Sequence, residues 1–78
     1  QGLFKIYPNP VHDYFTLVLT ELAANINLTI STVAGKELIK QQIKNKVVQI
    51  DLSGMLPGVY FIRLKNEKEV AVEKVIKE

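Results

Sequence analysis

The sequence contains no cysteine and only one histidine, His12. Without cysteine, neither disulfide bonds nor thiolate metal ligands can reinforce the core. A single histidine with scattered carboxylates does not form the set of three or four ligands that a metal site needs. We therefore expect no metal and no cofactor, and stability must come from hydrophobic packing.

Other classes of function lack their usual signals as well. No apolar run approaches the ~20 residues of a membrane helix, and no signal peptide is visible. The ten basic and eight acidic residues are well interleaved, and no basic stripe with interleaved aromatic residues indicates nucleic-acid binding. The sequence has no glycine-rich nucleotide motif and no internal repeat. We expect no nucleic-acid partner and no direct membrane insertion.

What is present is the composition of an ordinary globular domain, with 47% hydrophobic and 23% charged residues. The 78 residues allow one small domain, residues 1–78, with a free energy of unfolding of about 4–12 kcal/mol. The chain begins with Gln1 and Gly2 rather than with methionine. We expect it to be a piece cut from a larger secreted protein.

Residues 50–64, IDLSGMLPGVYFIRL, are the stretch around which the chain is organised. They predict the end of one strand, a tight connection and a second strand. Residues 59–64 contain five apolar residues in six, which is typical of a central strand. We expect Met55 and Leu56 to fold back and cover one end of the core. The residues with turn chemistry are Ser53, Gly54, Pro57 and Gly58.

Alternating apolar and polar residues predict the remaining strands. Ala34 and Gly35 indicate a two-residue hairpin connection. Lys74 shares a strand face with three apolar residues, which indicates a bulge or an exposed end. Seven short strands at such spacings predict an all-β fold, an immunoglobulin-like antiparallel β-sandwich with Greek-key connections. The predicted strands are residues 3–7, 14–20, 26–33, 36–43, 47–52, 59–64 and 70–76. The composition of residues 36–43 also suits a helix, but their shortness and the hairpin signal before them favour a strand.

Few side chains offer catalytic chemistry. His12 beside Asp13 could form a general base oriented by a carboxylate, but no nucleophile is assignable and a solvated loop position is the favoured interpretation. We expect Asp51 to be a hydrogen-bonding residue at a strand end. Tyr60 and Arg63 could belong to a binding surface, and the favoured alternative places Tyr60 in the core and Arg63 in solvent. We expect no enzymatic activity.

Four segments together resemble a known family: YPNPVHDYFTL (residues 7–17), ISTVAGKEL (30–38), IDLSGMLPGVYFIRL (50–64) and EKVIKE (73–78). In this order and spacing they are similar to the C-terminal sorting domain, or Por secretion tail, of proteins exported by the type IX secretion system of Bacteroidetes bacteria. The resemblance covers the chain from about Leu3 to Glu78. It implies a secretion address at the end of a cargo protein, and no enzyme.

The resemblance also implies partners and location. The cargo domain that precedes the address enters the periplasm, and the outer-membrane secretion translocon recognises the folded domain. A sortase-like peptidase then usually removes it near or before Gln1, and the cargo is secreted or anchored at the cell surface. The residues that match the family's recognition motifs are Lys74, Val75, Ile76, Lys77, Gly58 and Tyr60.

A mechanism and an alternative accompany this expectation. An exposed final strand offers backbone groups to which a partner can add a strand, with basic side chains fixing the register. The alternative function is a generic immunoglobulin- or fibronectin-like accessory or adhesion module. Such a module lies between other domains, whereas this sequence ends at Glu78, directly after the KVIK run, which favours the sorting function.

Overall fold

The computed structural model describes residues 4–22 and 24–78, and the regular secondary structure in this part of the chain consists of β-strands. No helix in this part is long and apolar enough to cross a membrane. In these residues the strands are β1 (Phe4–Tyr7), β2 (Tyr14–Leu19), β3 (Ile26–Thr32), β4 (Glu37–Ile43), β5 (Val47–Asp51), β6 (Gly58–Lys65) and β7 (Val70–Lys77).

The strands form two antiparallel sheets that pack face to face. One sheet has the order β1-β2-β5 and the other has the order β4-β3-β6-β7. The chain changes sheet after β2, after β4 and again after β5, as in immunoglobulin-like Greek-key sandwiches. The predicted fold class is therefore confirmed. Strand β6 lies between β3 and β7, which confirms the central position expected from its apolar density.

The core lies between the two sheets and follows the predicted alternation. Along β2, for example, Phe15, Leu17 and Leu19 are buried, while the residues between them are not. Tyr60 is buried with the rest of its strand face and Arg63 is exposed, which confirms the favoured interpretation of both. The buried apolar residues are Phe4, Val11, Phe15, Leu17, Leu19, Ile26, Leu28, Ile30, Ile43, Ile50, Leu52, Tyr60, Ile62, Leu64 and Val75.

The β3–β4 connection differs from its prediction. It comprises residues 33–36 instead of Ala34 and Gly35 alone. The Gly35 N–H donates to the Thr32 carbonyl and the Thr32 N–H to the Lys36 carbonyl, so the turn closes between Thr32 and Lys36 and not between Val33 and Lys36. Gly35 has φ of 95°, the left-handed conformation for which glycine is suited. A register shift next to Ile30 gives β4 one extra residue, a β-bulge.

One further prediction needs correction, another is decided between its two alternatives, and a third lies outside the described residues. Met55 packs against the core as expected, but Leu56 is 79% exposed and covers nothing. At Lys74 the structure shows the exposed alternative and no bulge, because the side chain faces solvent and β6 and β7 pair without interruption over eight residues. Leu3, where the first strand was predicted to begin, and Ala23, in the β2–β3 connection, lie outside the described residues.

Candidate functional site

Strand β7 contains most of the residues that the family resemblance singles out, and it lies at an edge of the four-stranded sheet. It continues from β6 through a turn at residues 66–69. The Asn66 side-chain carbonyl accepts hydrogen bonds from the N–H groups of Lys68 and Glu69, at 2.7 and 2.8 Å. This side chain supplies the turn with local acceptors, so the hairpin brings β7 back along the whole length of β6.

The four residues of the terminal motif point in two directions. Val75 is fully buried and Lys77 is 8% exposed, because both side chains face the other sheet. Lys74 and Ile76 alternate with them and face solvent. The Lys77 stem lies in the core while its ammonium group donates to the Glu78 backbone carbonyl at 2.9 Å, an arrangement that keeps the charge paired with a polar group. Only Lys74 and Ile76 of the four present an accessible side-chain surface.

Gly58 and Tyr60, the other two candidates, have local structural explanations. Gly58 begins β6 opposite Lys77 with φ of 153°, where side-chain-bearing residues are strained. The Tyr60 ring is buried and its hydroxyl donates to the Leu56 carbonyl at 2.6 Å. This bond to a carbonyl four residues upstream ties the exposed connection to the core, much as a tyrosine corner does in immunoglobulin-like domains.

The free edge of β7 is partly covered by the segment that follows β1. The Asn9 amide donates to the Lys74 carbonyl at 3.2 Å and accepts from the Ile76 N–H at 3.0 Å. The Val11 N–H donates to the Ile76 carbonyl at 2.7 Å, and the Val11 carbonyl accepts from the Glu78 N–H at 2.8 Å. We call these four hydrogen bonds of Asn9 and Val11 the edge clamp. Pro8 and Pro10, on either side of Asn9, follow cis peptide bonds.

The edge clamp limits where a partner can add a strand to β7. Because N–H and C=O of one residue in an antiparallel strand point to the same side, Val70 and Val72 direct theirs to the same edge as Ile76. Within the described residues, only the half of the edge at Val70 and Val72 is free of the clamp. Strand addition beside Lys74 and Ile76, the expected mechanism, would first have to displace Asn9 and Val11.

The side of the β6–β7 hairpin that faces away from the core is open. We call it the outer face. Four cross-strand pairs form it, and they combine apolar and basic side chains. The pairs are Val59 with Ile76, Phe61 with Lys74, Arg63 with Val72, and Lys65 with Val70.

His12, the residue considered as a general base, is an exposed loop residue next to Val11 of the edge clamp. His12 is 83% exposed, and its Nε2 atom lies 4.0 Å from a carboxylate oxygen of Glu78. Among the described residues, no group of three or more potential metal ligands comes together. Asp51 accepts the Ser53 N–H at 2.8 Å, and this hydrogen bond, with a second from the Ser53 side chain, lowers the pKa of its carboxyl group. It is the strand-end hydrogen-bonding residue that was predicted.

Asn9 and Val11 are the residues whose importance the sequence did not reveal. The buried Val11 was expected in a loop, and Asn9 was expected only to interrupt the first strand. One signal was available. Pro8 and Pro10 have no N–H, so the Asn9 side chain is a main source of donors in that segment, and asparagine amides commonly bond to backbone groups.

Comparison with known protein families identifies one to which the chain is similar. The model of a family described as "Secretion system C-terminal sorting domain" matches residues 5–78, nearly the entire chain. No curated protein matches the sequence.

Proposed function

Because the chain belongs to the family of C-terminal sorting domains of type IX secretion cargo, we propose that the secretion machinery recognises it through the outer side of its last strand. Membership carries the general function: the domain is attached to a cargo protein, interacts with the secretion system and directs export across the outer membrane. The family match over residues 5–78 supports the sorting function, and the exposure of Lys74 and Ile76 supports the outer side of β7 as the surface that is recognised.

Within the terminal motif, the proposed recognition residues are Lys74 and Ile76. Both side chains are exposed, and a partner can contact them without disturbing the fold. Val75, Lys77 and Tyr60 act indirectly, because their buried side chains hold β7 and β6 in place. Gly58 belongs to this second group because its positive φ begins β6. The motif thus combines two residues that are contacted with others that position them.

The later steps of the pathway belong to the proposal too. The cargo passes through the periplasm, the outer-membrane translocon binds the folded domain, and a sortase-like peptidase removes it before the cargo is released or anchored at the cell surface. We propose no catalytic activity for the domain itself. The 83% exposure of the His12 side chain, as expected of a solvated loop residue, supports this view.

The test is an export assay with point variants. Residues 1–78 follow a periplasmically targeted fluorescent protein in a bacterium that has type IX secretion, and fluorescence is measured in cells, at the surface and in the medium. Lys74→Glu combined with Ile76→Asn should lower export at least about tenfold, a change that corresponds to about 1.4 kcal/mol of recognition free energy. The matched control is Lys5→Glu, an exposed charge reversal on β1 in the other sheet.

Point variants separate recognition from folding better than a truncated chain does. Removing residues 74–78 would also remove the buried Val75 and the acceptors and donors of the edge clamp, so lost export would have two explanations. Lys77→Ala has the same weakness, since its stem is buried. Circular dichroism of each purified domain establishes that it is folded. Normal export of the folded Lys74/Ile76 double variant would contradict the proposed recognition residues.

A further inference from the structure

The outer face of the β6–β7 hairpin is more apolar than the solvent-facing side of an ordinary sheet. Three of its valines and one isoleucine are between 39% and 60% exposed, and the Phe61 ring between them is half-buried. In an ordinary antiparallel sheet, polar residues on the solvent-facing side alternate along each strand with apolar residues on the buried side. Nothing in the described part of the chain covers this face. Exposed apolar side chains gathered in one place mark interaction surfaces. The four aliphatic residues are Val59, Val70, Val72 and Ile76.

The charges on the outer face have one sign. Its eight positions include Arg63, Lys65 and Lys74, and no carboxylate. None of these three cations forms an ion pair with the described residues. Arg63 is opposite Val72 and Lys74 is opposite Phe61, so the two basic residues are diagonal neighbours, whose backbones are about 7–8 Å apart. Like charges on neighbouring residues repel, so this pair does not stabilise the fold. It is suited to a partner that supplies the opposite charge.

The positive character continues beside the hairpin. A shallow depression of about 250 Å³ on the same side of the sheet lies next to Arg63 and Lys65 and adds Lys40, with Glu37 as its one carboxylate. Asn27 and Thr29 complete its lining. The depression extends the basic surface from β6 onto β3 and β4. A partner segment that carries carboxylates could therefore bind polar and basic side chains there, next to the apolar and basic pairs of β6 and β7.

From these contacts and charges we propose that the outer face docks a protein segment that presents carboxylates between apolar side chains. The inference rests on the proposed function and names the chemistry of the partner surface on the translocon. Eight residues with a rise of about 3.3 Å give a face about 26 Å long and two strands wide. So narrow a contact is typical of transient recognition, which suits a domain that must be bound and then released.

One feature favours a protein over an anionic membrane. The apolar side chains are mostly short, β-branched valines on a sheet, whereas segments that insert at a lipid surface present large apolar residues on an amphipathic helix. The edge clamp occupies the backbone beside Lys74 and Ile76, so a protein segment docks there through side chains of the outer face and not by strand addition.

The test measures binding of the 78-residue chain to the detergent-solubilised outer-membrane translocon of a bacterium that has type IX secretion. Titrations run from about 0.01 M to about 1 M ionic strength, over which the Debye length falls from about 30 to about 3 Å. Arg63→Glu combined with Lys74→Glu should weaken binding at least about tenfold at low salt and flatten the salt dependence. Val72→Asn should weaken binding about threefold or more without changing the salt slope.

The matched control is Lys5→Glu combined with Lys46→Glu, which makes the same change in net charge at exposed positions away from the outer face. Its binding should stay within about twofold of the unaltered chain. Equal losses in both double variants would overturn the inference, because net charge alone would then explain binding. So would unchanged binding of the Arg63/Lys74 variant, and that result would leave the sorting function intact.

Two further outcomes complete the test. Failure of the unaltered chain to bind the translocon would overturn this inference together with the proposed recognition by the translocon. Vesicles of phosphatidylethanolamine and phosphatidylglycerol serve as the membrane probe. Binding to these vesicles as tight as binding to the translocon, with the same sensitivity to Arg63 and Lys74, would replace the acidic protein segment with a lipid surface.

Discussion

The inner and outer faces of the β6–β7 hairpin are both rich in apolar residues, yet only one of them is core. On the inner face, Tyr60, Ile62 and Val75 are almost completely buried between the sheets. On the outer face, Val59 and Val72 remain substantially exposed. The difference shows that apolar content identifies a strand but not its buried side. In a strand that is apolar on both sides, the position of the other sheet determines which side is buried.

The edge of β7 shows a similar division along its length. Beside Lys74 and Ile76 the edge clamp occupies the backbone groups, whereas the edge at Val70 and Val72 is free of the clamp. An unpaired edge strand is a site for unintended pairing with other chains, and proteins commonly cover such edges. The clamp therefore protects the part of β7 whose side chains we propose as the recognition site.

The largest expected effect comes from replacing isoleucine by alanine on each face of the hairpin, which tests whether only the inner face is core. Ile62→Ala, at a fully buried inner position, should lower the free energy of unfolding by about 2–5 kcal/mol, because it removes core contacts and leaves a cavity. Ile76→Ala on the outer face should cost about 1 kcal/mol or less. Urea unfolding monitored by circular dichroism measures both. Equal losses would show that the outer face is also part of the core.

The second prediction tests whether Gly58 positions β6 through its backbone conformation. A methyl group at Gly58 or at Gly54 would meet no atom within 4 Å, but only Gly58 has a positive φ. Gly58→Ala should therefore cost about 1–3 kcal/mol of stability from backbone strain. The control Gly54→Ala should change stability by about 0.5 kcal/mol or less. If the two variants unfold at the same urea concentration, the positive φ at Gly58 does not require glycine.

The smallest expected effect concerns the edge clamp. Asn9→Ala removes both side-chain hydrogen bonds to β7, whereas Asn9→Asp keeps an acceptor for the Ile76 N–H. Asn9→Ala should cost about 1 kcal/mol and make the Ile76 amide exchange with solvent about fivefold to tenfold faster. In Asn9→Asp the Ile76 amide should stay closer to its original rate.

Hydrogen exchange followed by NMR gives these rates residue by residue, with the Val72 amide as the internal reference for the half of the edge that lacks the clamp. An Ile76 amide that exchanges at the same rate with and without the Asn9 side chain would show that the clamp does not protect the edge.

Local sequence was sufficient for most of the fold. Strict alternation placed Phe15, Leu17 and Leu19 in the core, and apolar density placed β6 in the centre of its sheet. The first prediction succeeds because a strand that is apolar on one side has a single way to bury that side. The second succeeds because a strand that is apolar on both sides is typical of an interior position in a sheet. The prediction that Leu56 covers the core was wrong because no such pattern surrounds it. An isolated apolar residue in a connection has no periodic neighbours to fix its direction, and it lies in solvent.

The candidate site divides in the same way. The sequence by itself determined the seven strands and the family, and it supplied the candidate recognition residues, because these depend on local pattern and order along the chain. Only the tertiary structure decided which of those residues are accessible. The register with β6 turns Lys74 and Ile76 outward, and Asn9 covers the edge across a separation of 65 residues to Lys74. Contacts between segments so distant leave no periodic trace in either one, so only the folded chain could reveal them.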